Sequence, residues 1–403
     1  MDQRPQASIR PLSERPPFEC VALLLQGGGA LGAYQAGVYE ALSECHLYPN
    51  WFAGISIGAI NAALMAGNPP EHRVEKLRAF WEGITSEWGW NWGAISGLPF
   101  GDGFEKVFSQ NSVMRTMLNE VSAGGAMLGG APGFFTPRSL APWLYPDGTP
   151  EATSYYDTSS LKQTLERLID FDRLNSGETR LSVGAVNIRS GNFVYFDTAE
   201  RRVGPEHVMA SGALPPALPA VEIDGEYYWD GGLVSNTPLQ WVLESVPRHD
   251  TLAFQVDLWS ARGRLPKNLA EVVTREKEIR FSSRTRAVTD FFRRLQTAQC
   301  ALAALLPRLP AELKESPEAA LLRPLAINKV YNIVHLIYRS RAYEGDTKDY
   351  EFSRNSMQEH WRAGYNDAAR TLSHPEIFRR PDNPEGFAVF DLTQDDRKDI
   401  RKP

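Results

Sequence analysis

Cysteine is scarce in this chain of 403 residues. The three copies, Cys20, Cys45 and Cys300, are far apart, odd in number and form no C-x-x-C pair, so they outline neither a disulfide framework nor a zinc site. Long apolar runs are missing too, since none approaches the ~18 residues of a membrane-spanning helix. The opening residues, Met-Asp-Gln-Arg-Pro-Gln-Ala-Ser-Ile-Arg, lack the apolar centre of a secretion signal. The expectation is a cytoplasmic protein that meets a membrane, if at all, peripherally. Seven histidines occur, none in H-E-x-x-H or a similar ligand spacing, and no metal or cofactor is expected. Apolar residues, by contrast, are plentiful. With 42% hydrophobic and 11% aromatic residues, disorder throughout is excluded and the chain can bury one large core or two ordinary ones.

Val21-Ala-Leu-Leu-Leu-Gln26 is a short continuous apolar run, as expected of a strand buried on both faces. It leads into Gly27-Gly28-Gly29-Ala30-Leu31-Gly32, after which Leu31, Tyr34, Val38 and Leu42 repeat at helical spacing. Glycines between a strand and a helix leave backbone N–H groups unshielded, and such groups can donate to an oxyanion about 3 Å away. Gly27, Gly29 and Gly32 also fit the dinucleotide fingerprint G-x-G-x-x-G. That reading requires an acidic residue ~20 positions further on. The corresponding stretch, Pro49 to Ile60, holds no Asp or Glu. A nucleotide-binding module therefore stands as the reading from another class.

Residues 54–58 read Gly-Ile-Ser-Ile-Gly, a G-x-S-x-G pentapeptide between an apolar run and a helix-forming run. A serine on a sharp strand-to-helix turn needs small residues two places before and after it, here Gly54 and Gly58. The turn would lift the Ser56 hydroxyl out of the sheet to a helix N-terminus, where a developing anion is favoured. Downstream come Ala210-Ser-Gly-Ala-Leu-Pro215 and then Tyr227-Tyr-Trp-Asp-Gly-Gly-Leu-Val-Ser-Asn-Thr-Pro238. Tyr227–Trp229 should be strand, with Asp230-Gly231-Gly232 the tight turn at its end.

With these elements in order, the chain resembles the patatin-like phospholipase family from roughly Val21 to Asp257. The resemblance implies a three-layer α/β/α hydrolase with a mainly parallel sheet. It also implies a Ser–Asp dyad that hydrolyses acyl esters, and the carry-over falls on Ser56 and Asp230. Asp230 would take the Ser56 proton during attack and return it to the leaving alcohol. The oxyanion would rest on amides of the loop Gly27, Gly28 and Gly29 and on that of Ile57, with Gly32, Gly231 and Gly232 supporting the motifs. Leu31 stands where many members carry Arg or Lys, which argues against a side-chain cation in the loop. The rival arrangement is a Ser-His-Asp triad, because Ser56, Asp230 and His249 follow the order of the alpha/beta hydrolases. His249 precedes the apolar run Thr251–Val256, which puts it at the opposite edge of the sheet from the two other residues.

Residues 1–19 read as a loose tail, 20–260 as the catalytic domain, and 261–403 as a helical C-terminal extension. Within the catalytic domain, 81–156 is rich in tryptophan and glycine, as a lid or binding insertion would be. Asn328–Leu372 is helical in period, with Tyr331, Val334, His335 and Tyr338 on one face. The segment resembles the uncharacterised C-terminal domain of some bacterial patatin-like proteins. Between Arg262 and Arg341 sixteen Lys or Arg face seven Asp or Glu, although the whole chain carries −6. Residues 275–295 therefore suit either anionic lipid or docking on the acidic remainder. No nucleic-acid motif accompanies the charge. The substrates expected are lipid acyl esters, with a soluble esterase for short or hydroxyacyl esters as the alternative.

Overall fold

The computed structural model describes residues 9–85, 123–125, 129–282, 285–340, 344–345 and 347–392. Its strands in chain order are β1 (Cys20–Leu25), β2 (Trp51–Ile55), β3 (Thr136–Pro137), β4 (Tyr156–Asp157), β5 (Arg180–Asn187) and β6 (Phe193–Asp197). They continue with β7 (Val221–Ile223), β8 (Glu226–Asp230), β9 (Thr251–Asp257), β10 (Tyr331–Ile337) and β11 (Phe387–Asp391). β3 and β4 form a small ribbon of their own, and the other nine make one sheet. Its order is β11-β10-β9-β1-β2-β5-β8-β7, with β6 also on β5. From β11 across to β5 every pairing is parallel. β6 and β8 run antiparallel to β5.

The continuous apolar run of β1 is explained by helices on both faces of the sheet. Val21, Leu23 and Leu25 point into one core, Cys20, Ala22 and Leu24 into another. The first core is covered by α1 (Ala33–Glu44), α2 (Ile57–Ala66), α3 (Arg73–Ile84) and the helices Ser159–Leu168 and Arg354–Leu372. The second is covered by the helix Leu239–Glu244 and by Val288, Phe292 and Leu295 of the helix Thr285–Leu305. The apolar side of that basic helix is thus turned onto the sheet. Each of the buried Leu and Val side chains contributes about 1.5–3 kcal/mol, and the result is the three-layer α/β/α architecture expected from the sequence. Among the described residues no helix is long and apolar enough to cross a membrane.

Three expectations change. Tyr331–Ile337 is not helical: it is β10, buried between β9 and β11, and helix begins only at Arg354. The apolar spacing of 331, 334, 335 and 338 also fits a strand buried on both faces, which periodicity alone does not separate from a helix. Residues 81–84 of the expected lid belong instead to α3, where Trp81 is fully buried and donates to Asn61 Oδ1 at 3.0 Å. The tryptophans at 88, 90 and 92 lie outside the described residues. Finally, the region from 261 onward, though largely helical, shares the central sheet through β10 and β11.

The C-terminal helix Arg354–Leu372 lies against α1 at backbone contact. A Cβ at Gly364 would run into the Tyr34 carbonyl, and one at Gly37 into the Trp361 carbonyl. Gly→Ala inside a helix ordinarily adds ~1 kcal/mol of stability. Here the added methyl has no room, and overpacking of this kind costs about 1–3 kcal/mol. Gly364→Ala is therefore expected to lower the denaturation midpoint in urea; a raised midpoint would show that the two helices do not cross this closely.

Candidate active site

One edge of β5 is occupied by β6, which pairs with Ser182–Val186. The other edge is shared end to end: β2 pairs along it from Arg180 to Gly184, β8 from Ala185 to Asn187, in opposite directions. The carboxyl ends of the two strands therefore abut, Ile55 opposite Gly184 and Asp230 opposite Ala185. Ser56, the next residue after β2, meets Asp230, the last residue of β8, and the serine hydroxyl is close enough to the carboxylate to pull its pKa down.

Ser56 is half-buried and has φ 55° and ψ −125°, a conformation that is uncommon for any side-chain-bearing residue. The elbow fits only because of its glycines. A Cβ at Gly54 would strike the Gly58 carbonyl, and one at Gly58 the Leu25 carbonyl. The Ser56 N–H donates to Ser211 Oγ at 3.0 Å, and Ser211 in turn donates to the Gly184 carbonyl at 2.6 Å. Behind the serine runs α2, buried over its whole length, with Ile57 at its first position.

The glycine loop is fixed at its root by Asn236, whose Oδ1 accepts the Gly27 N–H at 3.1 Å and whose Nδ2 donates to the Gly27 carbonyl at 3.2 Å. Trp259 Nε1 donates to the same carbonyl at 3.0 Å. The Gly27 amide is thereby engaged, which narrows the expected donor set to Gly28, Gly29 and Ile57. Gly29 has φ +55°. Gly32 packs on Ile57 and Trp81, and Gly231 on the backbone of Gly184.

Asp230 is 2% exposed, and its Oδ1 accepts the Gly232 N–H at 2.7 Å. Burial pushes its carboxyl up to about 6, against the downward pull of the Ser56 hydroxyl and the Gly232 amide. Ser56, Asp230 and the loop Gly27–Gly29 open on a cavity of about 90 Å³. Its walls are mainly apolar and aromatic. Phe134, Phe135 and Tyr156 come from the expected insertion, Leu214 and Leu218 from the segment after Ser211, and Tyr350 and Phe352 from the C-terminal region. Phe135 meets Tyr156 and Phe352 edge to face at 4.9 and 5.9 Å.

His249 stays away. It sits before β9, whose first residue Thr251 pairs with Cys20 at the amino end of β1, and its Nδ1 lies 3.5 Å from Glu19. His207 caps its own helix by accepting the Gly204 N–H and packs on Phe196. Asn236 and Ser211 belong to segments singled out in the sequence, but their tasks were not readable there: each holds a backbone group far away in the chain. Trp259, Tyr350 and Phe352 left no signal, since an isolated aromatic residue reads equally well as core.

A family model described as patatin-like phospholipase matches residues 23–242, and a second, described as patatin phospholipase, matches residues 279–384. Patatin-like phospholipase domain-containing protein 7 of Mus musculus is 40% identical over 67 residues, which make up 16% of this chain and 5% of that protein. Among solved structures, VipD from Legionella pneumophila aligns with 88% of this chain and 67% of its own at 15% identity, with a TM-score of 0.39. The type III effector protein ExoU aligns with 89% of this chain and 54% of its own at 13% identity, with a TM-score of 0.30. The chain thus spans a small part of the mouse protein and about half of ExoU.

The raised carboxyl has a cost that can be measured. Because the folded value of Asp230 lies above the ordinary 3.8, the folded state holds the proton more tightly than the unfolded one. That contribution to stability is whole below about pH 4 and lost above about pH 6. At pH 8 the buried carboxylate then costs up to about 3 kcal/mol. Asp230→Asn should be more stable than the wild type at pH 8 by roughly this amount, with the gap closing toward pH 4. Urea titrations at the two pH values check it, and equal midpoints at pH 8 would contradict a desolvated carboxylate.

Proposed function

Since this chain belongs to the patatin-like phospholipase family, whose members are lipid acyl hydrolases, we propose that it cleaves carboxylic acyl esters with Ser56 as nucleophile and Asp230 as base. The observation that carries this reading is the placing of the Ser56 hydroxyl beside a buried carboxylate whose pKa it lowers, at the mouth of an apolar cavity lined by glycines. A hydroxyl attacks poorly until its proton has an acceptor. Desolvation makes Asp230 a better acceptor than an ordinary carboxylate, and near pH 7 it is still mostly ionised. Attack of Ser56 on the ester carbonyl moves the serine proton to Asp230. The carbonyl oxygen becomes an oxyanion, held by the N–H groups of Gly28 and Gly29 with that of Ile57 as a third donor. One such donor is worth about 2.7–4 kcal/mol. The proton then passes to the leaving alkoxide as the C–O bond breaks. Water, deprotonated by Asp230, attacks the acyl carbonyl, and as the bond to Ser56 Oγ breaks Asp230 returns that proton to Oγ, releasing the carboxylic acid and restoring both side chains.

The substrate reading follows from the walls. Phe134, Phe135, Tyr156, Leu214, Leu218 and Phe352 suit a hydrocarbon chain. The glycerolipid reading comes from the family. A second reading, a water-soluble esterase for short or hydroxyacyl chains, is favoured by the volume: about 90 Å³ is less than the ~150 Å³ cavity that accommodates benzene. The nucleotide-binding reading has less support, because the loop amides lie beside a serine–carboxylate pair and aromatic rings. Peripheral contact with lipid through 275–295 would use the polar side of the helix Thr285–Leu305, whose Val288, Phe292 and Leu295 are turned inward, together with the exposed Ile279 and Phe291.

A fluorophosphonate probe is expected to label the wild type and not Ser56→Ala. Asp230→Asn should lose about 10²–10⁴-fold in kcat, and His249→Ala should keep wild-type turnover. Labelling of Ser56→Ala, or a loss with His249→Ala in place of Asp230→Asn, would overturn the dyad. Catalysis needs the ionised carboxylate, so kcat/KM should rise with pH and level off above about 6. An acidic limb near pH 4 on p-nitrophenyl butyrate would place the base elsewhere. Hydrolysis of phosphatidylcholine vesicles against that monomeric ester separates the lipid reading from the soluble one.

A further inference from the structure

The glycine loop is gripped by residues that arrive much later in the chain. The Ala30 N–H donates to the backbone carbonyl of Asp349 at 2.8 Å, and a Cβ on Gly29 would collide with that same carbonyl. Asp349 is buried, and Lys277 holds its side chain at 2.5 Å. Lys348, its neighbour, is 2% exposed and is held by Glu278 at 2.8 Å and Ser340 at 2.6 Å. Glu278 also receives Arg275 at 2.9 Å. The helix Leu269–Phe281 that carries Arg275, Lys277 and Glu278 ends on the loop as well, because Asn236 Nδ2, besides holding Gly27, donates to the Phe281 carbonyl at 2.8 Å. Trp259, beneath the Lys348 ammonium at 5.0 Å, closes the connection from the other side.

We propose that the segment around Asp349, clamped by Lys277, positions the glycine loop so that the Gly28 and Gly29 amides point at the reacting carbonyl. The region after β9 then works on the reaction without touching the substrate's reacting atoms, and Asp349 and Lys277 are positioning residues. The physical reason is the loop's own composition. Three adjacent glycines have wide conformational freedom, and two amides must converge on one point within a few tenths of an ångström to stabilise an oxyanion. β1 fixes the loop at one end and α1 at the other. Between them the restraints are Asn236 and Trp259 on Gly27, and the Asp349 carbonyl on Gly29 and Ala30. An ion pair with little exposure is a suitable clamp because breaking it leaves a buried charge, so the segment has a strong preference for the docked position.

The proposal rests on the hydrolase reading for its kinetic consequence, but not for its structural one, and two measurements keep them apart. The double variant Lys277→Met/Asp349→Asn removes both charges at nearly constant size. Amide hydrogen exchange of peptides covering residues 26–34 is expected to speed up at least about tenfold, with α2 (57–66) unchanged as the internal control. On p-nitrophenyl butyrate kcat should fall about 10- to 100-fold with KM within about twofold, and fluorophosphonate labelling should slow by the same factor. Lys277→Arg with Asp349 intact, which keeps the ion pair, should leave all three at wild-type values. Should the double variant fail to fold, Lys277→Gln serves, with intermediate exchange and kcat expected. Unchanged exchange over 26–34 in the folded variant overturns the positioning role, and so does faster exchange with an unchanged kcat. If the wild type itself neither labels nor turns over, the hydrolase reading fails, while the exchange result still decides whether Asp349 restrains the loop.

Discussion

Two strands that run toward each other along one edge of β5 fix the relation on which the site depends. β2 leaves the edge at Gly184 and β8 takes it up at Ala185. Their carboxyl ends meet without any loop having to reach across, so residues separated by most of the catalytic region become neighbours through backbone pairing alone. The register is locked by small residues. Gly231 lies on the carbonyl of Gly184, where a side chain would collide. Ser211 binds the carbonyl of Gly184 and the amide of Ser56 together, which ties the elbow to the same point of the sheet.

Two unfavourable local states coexist at this junction. Ser56 sits at positive φ without being glycine, a conformation that costs on the order of 1–3 kcal/mol. Asp230 is ionised near neutrality in spite of complete burial. Neither could persist in a loose loop. Both are over-determined, the serine by α2 and the glycines about it, the aspartate by the Gly232 amide and the serine side chain. The same desolvation that weakens the fold at high pH raises the basicity of the carboxylate, so stability and the proposed chemistry pull against each other at one side chain.

Much of this was legible in the sequence, because it is written in features that sequence carries well. Apolar runs gave β1, β2, β8 and β9, and the glycine spacings gave the loop and the elbow. The edge location of His249 followed from the run that starts at Thr251. Other features were hidden for definite reasons. β10 has an apolar spacing that a helix also satisfies, and the five-residue strand β11 follows a glycine-bearing turn that looks like a tail. The hold of Asn236 on Gly27 joins positions far apart in the chain, and no local pattern encodes it. The task of Asp349 is performed by its backbone carbonyl, a group every residue has.

The pairing of β10 with β9 has a consequence for how the chain must be made. Synthesis delivers β9 complete, with seven consecutive buried residues from Thr251 to Asp257, roughly seventy residues before Tyr331 emerges. At ribosomal speeds of about 5–20 residues per second, the edge of β9 stays without its partner for several seconds. An unpaired edge on a strand that carries Leu252, Ala253, Phe254 and Val256 is a template for strands from other chains. The nascent protein thus passes through an interval of self-association risk that ends only when Tyr331–Ile337 has left the ribosome, and shielding in that interval falls to whatever chaperone or slow local folding the cell provides.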